Sequence, residues 1–158
     1  MAFAKGQSGR RWMAALALYA LLQPFAVTMA RDESVDDLKV RVARASVSER
    51  PALCIQISER QLDAADRLYV AGDDEKAQAT MTDVIAFAEQ ARDSAIQAHK
   101  REKQSEIAIR KMTRKLTNLK HTVTHEEQPQ IQDAIDRLER IRDDLLAAMF
   151  PNGVKKQK

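Results

Sequence analysis

His121 and His125 stand four residues apart, so on a helix their rings would share one face and could chelate a transition metal, with Glu126 or Glu127 as a third ligand. A structural zinc site wants four ligands, and the only other histidine, His99, lies far up the chain. Ligand count therefore favours two solvent-facing imidazoles, with the metal site as the alternative. Eight bases (Lys100, Arg101, Lys103, Arg110, Lys111, Arg114, Lys115 and Lys120) face only Glu102 and Glu106 between Lys100 and Lys120. Such a helix face could hold phosphate or another anion. The segment that follows answers it with Glu126, Glu127, Asp133, Asp136, Glu139, Asp143 and Asp144 against Arg137, Arg140 and Arg142. Opposite charge on two antiparallel helices is a pairing device, and that reading takes precedence over anion binding.

Other reactive groups point nowhere specific. Asp73, Asp74 and Glu75 suit the positive end of a helix, where capping and the dipole explain them. Asp63, Asp66 and Asp93 would have to converge in a pocket to serve an enzyme, and spacing alone does not bring them together. Cys54 is the single cysteine, set in Leu53-Cys54-x-x-Ile57 on an apolar helix face. It reads as a small buried hydrophobe, the alternative being a disulfide to another molecule. A Gly-rich phosphate loop, a nucleophile elbow, a haem-attachment motif and a zincin pair are all missing from the sequence, so no cofactor is expected.

The elements that must position these residues are helices, expected at about 32–45, 50–71, 74–123 and 129–150. Val35, Leu38, Val42 and Ala45 form the stripe of the first, although the alternation Leu38, Val40, Val42 also suits a strand. Pro51 falls in the first turn of the second helix, and Gly72 supplies its left-handed cap. From Ala77 an apolar seam steps three and four residues through Met81, Val84, Ala88, Ala91, Ala95 and Ala98. It continues through the polar Glu102 and Ser105 to Ile109, Met112, Leu116, Leu119 and Val123. One helix over 74–123 would span about 75 Å at about 1.5 Å per residue, unless it kinks near Glu102 to Ser105. Thr124 with Glu127 offers a capping box, and Pro129 opens the last helix, striped by Ile131, Ala134, Leu138, Ile141 and Leu145. The expected architecture is all-α: an elongated antiparallel bundle of coiled-coil hairpins around one long central helix, the second and last helices folding back on its two halves.

Residues 1–30 read as a signal peptide. Lys5, Arg10 and Arg11 make a basic start, Trp12 to Val27 an apolar run, and Thr28-Met29-Ala30 a small-residue exit with a cut expected after Ala30. The alternative is retention as an anchor. Setting those three bases aside, the remaining chain balances 23 acids with 23 bases, a poor match for the phosphate neutralisation that nonspecific nucleic-acid binding requires, and no nucleic-acid partner is expected. The only tryptophan is Trp12, in the leader, which leaves few stacking platforms for bases or sugars. Residues 151–158 read as a short basic disordered tail. A periplasmic or secreted protein, off the membrane once the leader is cut, is the expected product.

Residues 65–91 (ADRLYVAGDDEKAQATMTDVIAFAEQA) resemble a single tetratricopeptide-type hairpin, with Tyr69 near the end of one helix, Gly72-Asp73 at the turn, Ala77 beyond it, and Met81 and Val84 inside. That family repeats its unit every 34 residues or so, and the equivalent position beyond Ala77 is Lys111, in no comparable setting. The resemblance implies a helical hairpin and adds weight to an interaction role. The expected function is that of an exported, non-enzymatic helical protein acting through a protein partner or through self-assembly. Its expected contacts are Ala91, Ala95, Ala98, Glu102 and Ser105, where cover of the long helix changes hands. The alternative is a small metal- or anion-binding bundle of the periplasm.

Overall fold

A helix begins where a side chain can take over the backbone N–H groups that have no intrahelical partner, and Ser34 does this for the first one. Its hydroxyl accepts the Asp37 amide at 3.1 Å while the Asp37 carboxylate accepts the Ser34 amide at 3.3 Å, a complete capping box. The computed structural model describes residues 33–151, and among them are five helices and no strand. They are α1 (Val35–Arg44), α2 (Arg50–Ala71), α3 (Asp74–Ala98), α4 (Glu102–Lys120) and α5 (Gln128–Met149). The expected leader, its cut after Ala30, and the expected tail beyond Pro151 lie outside the described residues. No helix among the described residues is long and apolar enough to cross a membrane.

In α1 the helical period wins over the alternating one. Leu38 and Val42 are buried against Leu53, Cys54, Ile57 and Ala91, whereas Val40 is left 53% exposed. The fold is an all-α bundle of two antiparallel hairpins, α2 on α3 and α4 on α5, with α3 meeting α5 and α2 meeting α4 between them. The seam from Ala77 to Leu119 is its core. Ala77, Met81, Val84, Ala88, Ile109, Met112, Leu116 and Leu119 pack with Leu62, Ala65, Ile131, Leu138, Ile141 and Leu145. Each fully buried Leu or Ile contributes about 1.5–3 kcal/mol relative to exposure, so these seams supply most of what holds the hairpins together. Small residues let α3 approach α2 closely enough for the buried Ser58 hydroxyl to donate to the Val84 carbonyl at 3.0 Å.

The single helix expected over 74–123 is two helices, and this is a correction. α3 stops at Ala98 and α4 starts at Glu102. His99 takes a left-handed conformation (φ 49°), its N–H bonding the Ile96 carbonyl at 3.2 Å and the Lys100 N–H bonding the Ala95 carbonyl at 3.1 Å. This is a Schellman closure, the same one that Gly72 makes with Tyr69 and Leu68 at the end of α2. Arg101, also left-handed (φ 66°), then leads into α4. The break falls just before the polar steps of the seam, where there is little apolar surface to keep a helix straight.

The expected charge pairing of α4 with α5 is corrected as well. Among the described residues the α4–α5 ion pair runs in the opposite sense, from Arg142 of α5 to the buried Glu106 of α4 at 2.8 Å. Of the bases of α4, Lys115 meets Asp63 at 2.6 Å and Asp66 at 3.1 Å on α2, and Arg110 lies 3.7 Å from Glu106 of its own helix. Acids and bases of α5 reach α3, through Arg137–Glu89 at 2.7 Å and Arg92–Asp144 at 2.9 Å. These pairs join one hairpin to the other. A helix in a bundle flanks two neighbours, and charge content alone does not say which neighbour takes the charge.

Candidate functional site

The two histidines are both exposed and do not stand on one helix. α4 ends at Lys120, where Thr122 turns its hydroxyl back to the Leu119 carbonyl at 2.8 Å. His121 is the C-cap, and His125 is exposed in the turn that follows. No group of three or more His, Cys, Asp or Glu side chains that could hold a metal ion is found among the described residues. The Thr124–Glu127 capping box is present in half, the Glu127 carboxylate accepting the Thr124 amide at 2.9 Å.

The expected contact residues fare similarly. Ala91 and Ala95 are fully buried and Ser105 nearly so, while Ala98 and Glu102 are half-buried beside the α3–α4 joint. Ala95 belongs to the main core and Ala91 to the layer under α1, so this stretch is filled by the chain's own helices. The expectation of an open contact face there is corrected: the break in the long helix lets both hairpins close over it.

Cys54 is also buried, its thiol donating to the Gln90 carboxamide oxygen at 3.4 Å, and burial pushes its pKa up to about 11. It is a protonated thiol at neutral pH, with little thiolate to react. Of the carboxylates weighed for catalysis, Asp63 and Asp66 grip Lys115, and Asp93 pairs with Arg92 at 2.8 Å.

At the end of the bundle where α2 closes and α3 and α5 begin, Asp74 and Glu127 meet carboxyl to carboxyl. The hydrogen bond to Glu127 raises the Asp74 pKa, and the reciprocal bond lowers that of Glu127. Tyr69 is only 8% exposed nearby, and its hydroxyl has no hydrogen-bond partner among the described residues. Burial first, then the charges of Glu127 and Asp74, hold the phenol protonated. Tyr69 also floors a shallow groove of about 410 Å³ between α3 and α5, with Met81, Ile85 and Ala134.

A second groove, of about 400 Å³, gathers unlike features in one place. It lies between α1, the start of α2 and the α3–α4 joint. Its floor is Val40, Ala45, Ala52 and Leu53, and its rim is Arg41, Arg44 and Arg101 with Glu49. The Glu49 carboxylate accepts the Ser46 hydroxyl at 2.7 Å and the Ser46 amide at 3.2 Å. Those bonds, followed by the charges of Arg101 and Arg41, hold it ionised and below the usual glutamate range. Arg41 also pairs with Glu33, whereas Arg44 and Arg101 form no ion pair among the described residues. Arg101 carries a left-handed backbone where glycine is preferred, a cost of about 1 kcal/mol, and as N-cap it makes no side-chain cap bond. A residue so poorly suited to its backbone is the kind of local conflict that marks functional positions. Sequence reasoning saw Arg101 within the basic run and missed Arg41 and Arg44, because a groove between three separate elements has no signature in spacing. In comparisons with known proteins, the chain matches no family model, no curated protein and no solved structure.

Proposed function

We propose that this is an exported, non-enzymatic helical protein of the periplasm or extracellular space that acts by binding another protein or a second copy of itself. The observation that carries the reading is the arginine-rimmed groove at the α1–α2 and α3–α4 corner, with the half-exposed Val40 on its floor. The core absorbs nearly every other long apolar side chain, so an apolar group left beside guanidinium groups is suited to recognition. The tetratricopeptide-like hairpin of residues 65–91 adds support, since such hairpins serve as scaffolds for contact. Export rests on the basic start, apolar run and small-residue exit of residues 1–30.

The test expresses the full chain with its leader, fractionates the cells, and treats the exported fraction with a short amine-reactive crosslinker. The expected result is an intact mass matching a cut after Ala30, together with discrete crosslinked species above the monomer. A chain that stays inside the cell, or yields no discrete adduct, would overturn the reading.

A further inference from the structure

The geometry points to the groove between α1, the start of α2 and the α3–α4 joint as a docking site for an acidic polypeptide segment, whose carboxylates are taken by Arg44 and Arg101 while an apolar side chain rests on Val40, Ala52 and Leu53. The inference rests on the interaction reading above and names the chemistry of the partner. Three features carry it. The rim holds three arginines and one carboxylate, and that carboxylate is already committed to Ser46. Arg44 and Arg101 are exposed and outside any ion pair among the described residues, so both guanidinium forks are open. The floor is apolar, and Val40 is one of only three large apolar residues exposed among the described ones.

Arginine presents a planar fork that takes a carboxylate in two parallel hydrogen bonds, which favours a shaped anionic ligand over a diffuse field. Glu49 in the rim opposes any partner that is uniformly negative and broad. Both features favour a segment with spaced carboxylates and an intervening apolar residue over a lipid surface or a nucleic acid. Arg41, already held by Glu33, acts as a wall of the groove. Arg101 can reach the rim because the joint turns left-handed there, which gives the unfavourable backbone a use.

The test measures fluorescence anisotropy of a labelled twelve-residue peptide alternating glutamate and leucine against the full chain, in parallel with thermal unfolding. Arg44→Ala combined with Arg101→Gly should weaken binding at least ten-fold. The unfolding temperature of the double variant should not fall, because glycine relieves the left-handed backbone. His99→Gly is the control: it relieves the neighbouring left-handed residue, should raise the unfolding temperature by about 2–5 °C, and should leave peptide affinity unchanged. Equal affinity in wild type and double variant would overturn the assignment. So would equal binding of the matching lysine–leucine peptide, or binding to phosphatidylglycerol vesicles but not to the peptide. Self-association lost in the double variant would replace the acidic partner by a second copy of the chain. Crosslinked species that persist in the double variant would sink the groove and spare the interaction reading, whereas their absence in the wild type sinks that reading itself.

Discussion

Asp74, the first residue of α3, and Glu127, which precedes α5, face each other carboxyl to carboxyl across the boundary between the two hairpins. Two carboxylates in contact cannot both ionise without repulsion, so this pair ties the stability of the bundle end to pH. Asp73 and Tyr69 add to the cluster, and Asp73 is partly answered by Lys76. Asp74 is raised, so its contribution is complete below the ordinary aspartate range and is lost as pH climbs through its folded value. Glu127 is lowered, so its contribution is complete above the ordinary glutamate range and is lost as pH falls through its folded value. Stability from this pair is therefore highest in mild acid. Asp74→Asn keeps a donor for Glu127 that does not titrate. Thermal unfolding followed against pH should show the variant flatter than wild type on the alkaline side and no less stable at neutral pH. A parallel drop at every pH would refute the carboxyl–carboxyl interaction.

Ala95 is fully buried in the main core beside the joint, which leaves no room for a larger side chain. Ala95→Glu should destabilise by more than about 3 kcal/mol, because it adds both volume and an unpaired charge. Urea unfolding followed by circular dichroism measures this directly. A cooperative transition at the wild-type midpoint would mean that the α3 seam is open after all.

Leu138 and Val70 offer a contrast in burial. Leu138 has no exposed surface, and Val70 is 81% exposed. Leu138→Ala should cost about 2–5 kcal/mol, while Val70→Ser should stay within about 0.5 kcal/mol. Comparable losses in the two variants would contradict the placement of α5 against α3 and α4.

The thiol of Cys54 is sequestered and its pKa lifted to about 11. A colourimetric disulfide reagent at pH 8 should label it quickly in urea and at least a hundred-fold more slowly in buffer. The solution mass of the chain should be the same with and without reductant. Fast labelling of the folded chain would place the α1 cover elsewhere.

How much of this was legible in the chain depends on which forces are local. The helices at 50–71 and 129–150 and the hairpin turn at Gly72 follow from periodicity, proline and glycine, because each is decided within one or two turns of backbone. Gly72 and His99 show where that reasoning stops. Both close a helix with the same two backbone hydrogen bonds, yet the first uses the residue that adopts a left-handed φ without strain and the second does not. The sequence marks a weak point only further on, at the polar Glu102 and Ser105, and gives His99 itself no glycine or proline to end a helix. Only packing decides that the chain turns there, since folding α4 and α5 back against α2 and α3 buries two apolar seams at once, which outweighs the strain of His99 and Arg101. Neighbour choice has the same origin: Lys115 meets Asp63 and Asp66 of α2, and Glu106 meets Arg142, because hairpin docking sets which flanks face each other. The arginine groove, with one wall from α1, one from α2 and one from the joint, exists only after that docking.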